Sequence, residues 1–143
     1  ADEAVSALDV SVQAQILELL TRLRSQRNLA MLFISHDVAV VRQISDRIIL
    51  LYRGNLVEEL PADQLLEHGC HPYTRHLLEA ALFLREGNRL PEVPSLQISA
   101  VAETTSGCCY LQACPKAGKE CQQKPQLREI KPGHRVACHF AGK

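Results

Sequence analysis

The run "LAMLFIS" at 29–35 is unbroken, apolar and of strand length, and it closes on the polar "SHD" of 35–37. A segment with no polar side cannot lie half in water. It belongs inside a sheet covered on both faces, which is the habit of parallel strands. Ahead of it, Val12, Ile16, Leu19, Leu20 and Leu23 recur at helical spacing and predict an amphipathic helix over about Val10 to Gln26. Asp9 or Ser11 can cap that helix, and Asn28 marks the turn out of it. Behind the run, a helix is expected over Val38 to Ser45, then a strand in "RIILLY" at 47–52, with "GNLVEEL" from Gly54 as its hairpin partner. Pro61 suits the first turn of a helix ending near His68 and Gly69, and a further helix after "HPY" at 71–73 carries Leu77, Leu78, Ala81 and Leu82. This order of helices and buried strands predicts an α/β fold. From about Arg85 to Ser106 two prolines and the loss of any period mark a linker or a segment laid over the domain.

At 143 residues there is room for about one domain, or for part of one with a small appendage. Nothing resembles a signal peptide, and no apolar run approaches the roughly 20 residues that cross a bilayer. The chain is therefore expected to be soluble and to meet a membrane only through a partner. Sixteen basic residues balance sixteen acidic ones, but residues 107–143 hold seven Lys/Arg against only Glu120 and Glu129. Tyr110 and Phe140 are too few aromatics there for a base-stacking surface, so nucleic acid is not expected as a partner. Lys and Arg around four thiolates on a metal centre explain the same charge locally.

The first stretch with chemical content is "DEAVSALD", Asp2 to Asp9. Adjacent carboxylates at a strand end offer one group to orient Mg²⁺ and another to polarise an attacking water. With the helix, the apolar strand and "SHD" following in order, the sequence resembles the ATP-binding-cassette (ABC) ATPases. The resemblance implies that Asp2 ends the Walker B strand and helps hold Mg-ATP, and that Glu3 is the general base. It likewise makes Ser6, Ala7, Leu8 and Asp9 the D-loop, and His36 the switch histidine near the γ-phosphate. Ala4-Val5 stands where that family usually has Pro-Thr. No G-x-x-x-x-G-K-[ST] loop and no "LSGGQ"-like stretch is present, so the backbone cradle for the phosphates is missing. The chain is expected to be inactive alone, the C-terminal part of a P-loop ATPase subunit.

"HPYTRHLLEA" at 71–80 and "SVQAQILELL" at 11–20 are similar to ATP-binding subunits of dipeptide, oligopeptide and nickel importers. Cys108, Cys114, Cys121 and Cys138 follow C-x5-C-x6-C-x16-C, with Pro115 directly after the second. This also resembles the C-terminal segment of those subunits, where four cysteines are thought to ligate a [4Fe–4S] cluster. Read from the residues, three alternatives stand. Disulfides are disfavoured in a chain that faces a reducing cytosol. Zinc sites usually pair ligands as C-x2–4-C, a spacing met only by Cys109 with Cys114. A four-iron cube accepts a wider loop, and Cys-Pro recurs in cluster-binding runs. Zinc stays open as the alternative metal. Cys109 and Cys70 are expected to be ordinary small residues.

The resemblance implies three segments: 1–60 as the end of the ATPase core, 61–106 as a helical extension and linker, and 107–143 as a small Cys-rich metal-binding lobe. It implies a peripheral protein at the cytoplasmic face of the inner membrane, paired with a second ATP-binding subunit as a homo- or heterodimer. Membrane permease subunits are further partners, with an extracytoplasmic solute-binding protein engaged indirectly. The rival function is a stand-alone iron–sulfur or zinc module that senses redox state and has no ATPase activity.

Overall fold

The computed structural model describes residues 1–2, 9–85 and 106–142. They fall into two compact units, Ala1–Asp46 and Arg47–Lys143, each with its own interior. The linker expected at about 85–106 lies almost wholly outside the described residues.

In the first unit, helix α1 spans Val10–Arg27. The Asp9 carboxylate caps it, accepting from Ser11 N at 3.1 Å and Val12 N at 3.0 Å. At the other end Asn28 turns out in the left-handed region, φ 49°, with its N–H returned to Arg24 O. Helix α2 spans Val38–Ile44 and is capped by Asp37, whose carboxylate accepts from Ala39 N and Val40 N. Leu17, Val40 and Ile44 form the interior, with Ile16, Leu20, Met31 and Phe33 against them. The buried side of α1 is thus centred on Leu17. Val12, Leu19 and Leu23 of the expected stripe are exposed.

The expected parallel strand at 29–35 is reduced to one parallel bridge, Asp2 with Ile34. Ile34 N donates to Ala1 O at 2.8 Å and the Ala1 amino group to Leu32 O at 3.0 Å. A strand is sustained by its neighbours, and among the described residues Ala1 and Asp2 are all that pair with this one. Leu32 is left 74% exposed and Ile34 50%.

The second unit is built on a four-stranded antiparallel sheet of order β1-β2-β4-β3: β1 Arg47–Tyr52, β2 Asn55–Pro61, β3 Arg128–Lys131 and β4 His134–Val136. The first pair closes through Arg53 and Gly54, both at positive φ (47° and 73°), a two-residue turn whose twist suits a hairpin. On its other side β2 takes β4, Glu58 opposite Val136 and Glu59 opposite Arg135. A helical turn at 62–64 leads into α3, Leu65–His68, and then α4, Pro72–Arg85, with Pro72 at the first helical position. Gly69 lets these turns close: a Cβ there would stand 2.7 Å from Leu65 O and 2.9 Å from Thr74 Cγ2. One sheet face carries Ile48, Leu50, Glu58, Leu60 and Val136, all buried. The regular sheet of the described residues is thus antiparallel, in place of the parallel one expected, and residues from the Cys-rich segment complete it.

Candidate functional site

Two places hold the residues singled out by sequence. In the first unit, Asp2 is held by the bridge to Ile34, two residues short of His36 along the paired run. His36 is exposed, between Ser35, whose Oγ accepts from Asp37 N, and Asp37, which does the capping of α2. Asp9 caps α1, and the hydrogen bonds from Val12 and Ser11 hold its carboxyl below the usual range. Glu3, Ser6, Ala7 and Leu8 lie outside the described residues.

In the second unit, Cys108, Cys121 and Cys138 are buried and Cys114 is half-buried. Cys108 N donates to Cys121 O at 2.9 Å, which ties the first and third cysteines together through the backbone. Cys108, Cys114 and Cys121 share a cluster with Tyr110, while Cys138 packs with Val136 and Ala141, and Phe140 lies against both groups. Burial, then the facing charges of Cys121, Cys138 and Cys108, push the Cys114 thiol up. Cys114 thus feels the other three cysteines of the group. Cys109 donates to Cys108, which pulls the Cys108 thiol down and drives Cys109 up. Cys109 also lines a cavity of about 140 Å³ with Val57, Lys124, Pro125 and Ala137.

A tetrahedral zinc would draw four sulfurs to about 3.8 Å from one another, whereas a four-iron cube holds them wider apart. Among the described residues the one group of three or more Cys, His or carboxylate donor atoms within 4.8 Å of one another is Glu58, Cys70 and His134, so no three of the four thiols stand as close together as a single ion would hold them.

Beside them lies a network that sequence reading passed over. Glu58, fully buried, accepts through Oε1 from Cys70 N at 2.9 Å and His134 Nε2 at 2.7 Å, and through Oε2 from His71 N at 3.0 Å and the Thr74 hydroxyl. Burial alone would raise its pKa. The Thr74, Cys70, His134 and His71 bonds outweigh burial and hold the carboxyl low. His71 is the side-chain cap of α4, its Nδ1 accepting from Tyr73 N at 3.0 Å, and burial lowers its own pKa, which keeps that nitrogen free to accept. Tyr73 and Tyr110 both pack against Tyr52, ring centroids 4.8 and 5.0 Å away. The "HPYT" stretch is thus a helix start built on a buried carboxylate. Cys70, expected to be an ordinary small residue, gives both its N–H and its thiol to Glu58 and packs against the group of Cys138. Burial, with the Glu58 charge, pushes that thiol up to about 12.

Residues 57–121 match the family model described as the oligopeptide/dipeptide transporter, C-terminal region. The chain is 40% identical to the oligopeptide transport ATP-binding protein AppF of Bacillus subtilis, over 98% of its own length and 44% of AppF. A Sinorhizobium fredii protein named as a probable peptide ABC transporter ATP-binding protein is 41% identical over 96% of the chain and 42% of that protein. Over nearly its whole length the chain is thus similar to proteins named as peptide ABC transporter ATP-binding proteins, and its residues 57–121 carry that transporter family's C-terminal region. It spans less than half the length of the curated relatives it matches. The family model takes in Glu58, the "HPYT" cap and the first three cysteines of the candidate metal group, and stops before Cys138 and His134. No helix among the described residues is long and apolar enough to cross a membrane.

Proposed function

We propose that this chain is part of the ATP-hydrolysing subunit of an ABC importer for peptides. The near-complete alignment onto proteins named for peptide transport and ATP binding carries this reading. In it, Asp2 orients Mg²⁺, Glu3 takes a proton from the attacking water, and His36 donates toward the γ-phosphate. Phosphoryl transfer asks for positioning and charge neutralisation at those points. Ser6 to Asp9 face the second ATP-binding subunit. The phosphates need a P-loop that the 143 residues do not contain. Exposed Leu29, Leu32 and Ile34 are the surface that the preceding half of the ATPase domain covers. The subunit works peripherally, at the cytoplasmic face, with permease subunits and, through them, a solute-binding protein.

Residues 61–106 act as the helical extension and linker, and 107–143 as a metal lobe in which Cys108, Cys114, Cys121 and Cys138 hold a [4Fe–4S] cluster. With four thiolates occupied, such a cluster supplies a cross-link or an electron store and leaves no open position for substrate. The C-x5-C-x6-C-x16-C spacing, wider than the usual pairing of zinc ligands, supports the cluster over zinc.

Joined to an upstream P-loop half from a close relative, the chain should hydrolyse ATP. Glu3→Gln should then retain bound ATP without turnover, and His36→Ala should lower turnover with little change in melting temperature. Unchanged hydrolysis in Glu3→Gln would overturn the assignment. For the lobe, anaerobic protein should contain iron that each of Cys108→Ser, Cys114→Ser, Cys121→Ser and Cys138→Ser removes and Cys109→Ser keeps. Zinc without iron after iron-replete expression would leave a zinc lobe.

A further inference from the structure

Glu58 faces more donors than a carboxylate can satisfy. Oε1 alone meets Cys70 N at 2.9 Å, His134 Nε2 at 2.7 Å and Cys70 Sγ at 3.4 Å, while Oε2 takes His71 N and Thr74. A carboxylate offers about four lone-pair sites, so the thiol, at the longest distance, is the worst served of the five donors. Sγ also stands 4.0 Å from Nε2, which puts Oε1, Sγ and Nε2 within 4.8 Å of one another. An oxygen, a sulfur and a nitrogen converging in a buried place are the donors that zinc-class ions take. We propose that Glu58, Cys70 and His134 form a metal site for a zinc-class divalent cation, separate from the four-thiol group.

The geometry is close to what such an ion needs. Edges of a tetrahedral zinc site with these donors run about 3.3–3.6 Å. The sulfur–oxygen separation, 3.4 Å, already falls in that range. The oxygen–nitrogen pair has to open, and the sulfur–nitrogen pair to close, by about half an ångström each, within reach of small side-chain rotations. Carboxylate and thiolate together cancel the charge of the dication, so the loaded centre is neutral in a place that tolerates no net charge. On binding, the metal–sulfur bond replaces the S–H bond and that proton leaves to solvent, while the imidazole proton passes from Nε2 to Nδ1. No electron is transferred. The Glu58 bond keeps the proton on His134 Nε2 in the metal-free site, and Nδ1, which has no hydrogen-bond partner, is free to take that proton once the ion replaces the bond. The site goes beyond the proposed ATPase role, and it does not depend on what the four thiols hold.

The test is titration of the metal-free, anaerobic chain with ¹¹³Cd²⁺, followed by cadmium NMR. A resonance upfield of the tetrathiolate region is expected, with scalar coupling to the Cys70 β-protons and to the His134 ring protons. Because this is read in the unaltered chain, it does not depend on a variant that folds. Cys70→Ser keeps a hydroxyl donor to Glu58 and should remove that resonance, and one equivalent of cadmium, with an unchanged circular dichroism spectrum. Bound cadmium coupled only to Cys108, Cys114, Cys121 and Cys138, no bound cadmium at all, or a mixed-donor resonance that survives Cys70→Ser would each overturn the site. A mixed-donor resonance without a tetrathiolate one would support this site and count against the four-thiol lobe.

Discussion

Glu58 and Glu59 are neighbours in β2 and both are buried, yet they are neutralised differently. Glu59 points to the outer face, where the stems of Arg47 and Arg135 cover it and their guanidiniums pair with it. Glu58 points inward and is held by hydrogen bonds. Glu58→Gln turns an acceptor into a donor opposite Thr74 and His71 N, and is expected to cost about 2–4 kcal/mol in chemical denaturation. The sign of the pH effect follows from a carboxyl held below its unfolded value of 4.5. Its contribution is fully present above that value and is lost as pH falls through the lower folded one. The wild-type chain should therefore lose stability below about pH 4.5 more steeply than Glu58→Gln. Parallel acid limbs in the two proteins would show that Glu58 is not a source of acid sensitivity. Sequence reading passed over Glu58 because "VEEL" at 57–60 looks like the polar edge of a strand. What buries it comes from residues 70–74 and 134, too far along the chain for local periodicity to register.

At the scale of elements, those set by local chemistry were legible. The strand 47–52, the helix after "HPY" and the cap at Asp9 needed only turn residues, period and a carboxylate at the right offset. Facing was not legible. Helix α1 carries apolar residues over a wide arc, and only its packing with Val40, Ile44, Met31 and Phe33 selects Leu17 over Val12, Leu19 and Leu23. Strands β3 and β4, four and three residues long, are too short to show a period at all. Spacing and resemblance single out Cys108, Cys114, Cys121 and Cys138, whereas the bond of Cys70 to Glu58, twelve residues back, leaves no mark in the local sequence. The hairpin turn gives a clean check of local chemistry. Gly54 has φ 73° and open space where a Cβ would be, so Gly54→Ala is expected to cost about 1 kcal/mol by backbone strain alone. A melting temperature unchanged within error would show that the turn relaxes to another type.

Across the whole chain, one central strand joins the early and late parts of the second unit. A chain ended at residue 106 would leave the β4 side of β2 unpaired, free the Val57 carbonyl that takes Ala137 N at 2.8 Å, and remove His134 from Glu58. Light scattering should find it associating through that bare edge, where the full chain does not. Full-length and truncated chains that are equally monomeric would show the edge to be protected by other means. Mg-ATP is expected to bind weakly or not at all to the 143 residues, because carboxylates without a P-loop repel the phosphates; tight, saturable heat in calorimetry would contradict that. The bond from His134 to Glu58 also has a bearing on synthesis. Glu58 leaves the ribosome 76 residues before His134, a delay of about 4–15 s at ordinary elongation rates. Once Cys70, His71 and Thr74 have followed, they alone hold the carboxylate for the rest of that interval. The hairpin and the start of α4 can therefore mature as a nascent local unit, and the last strand seals it afterwards.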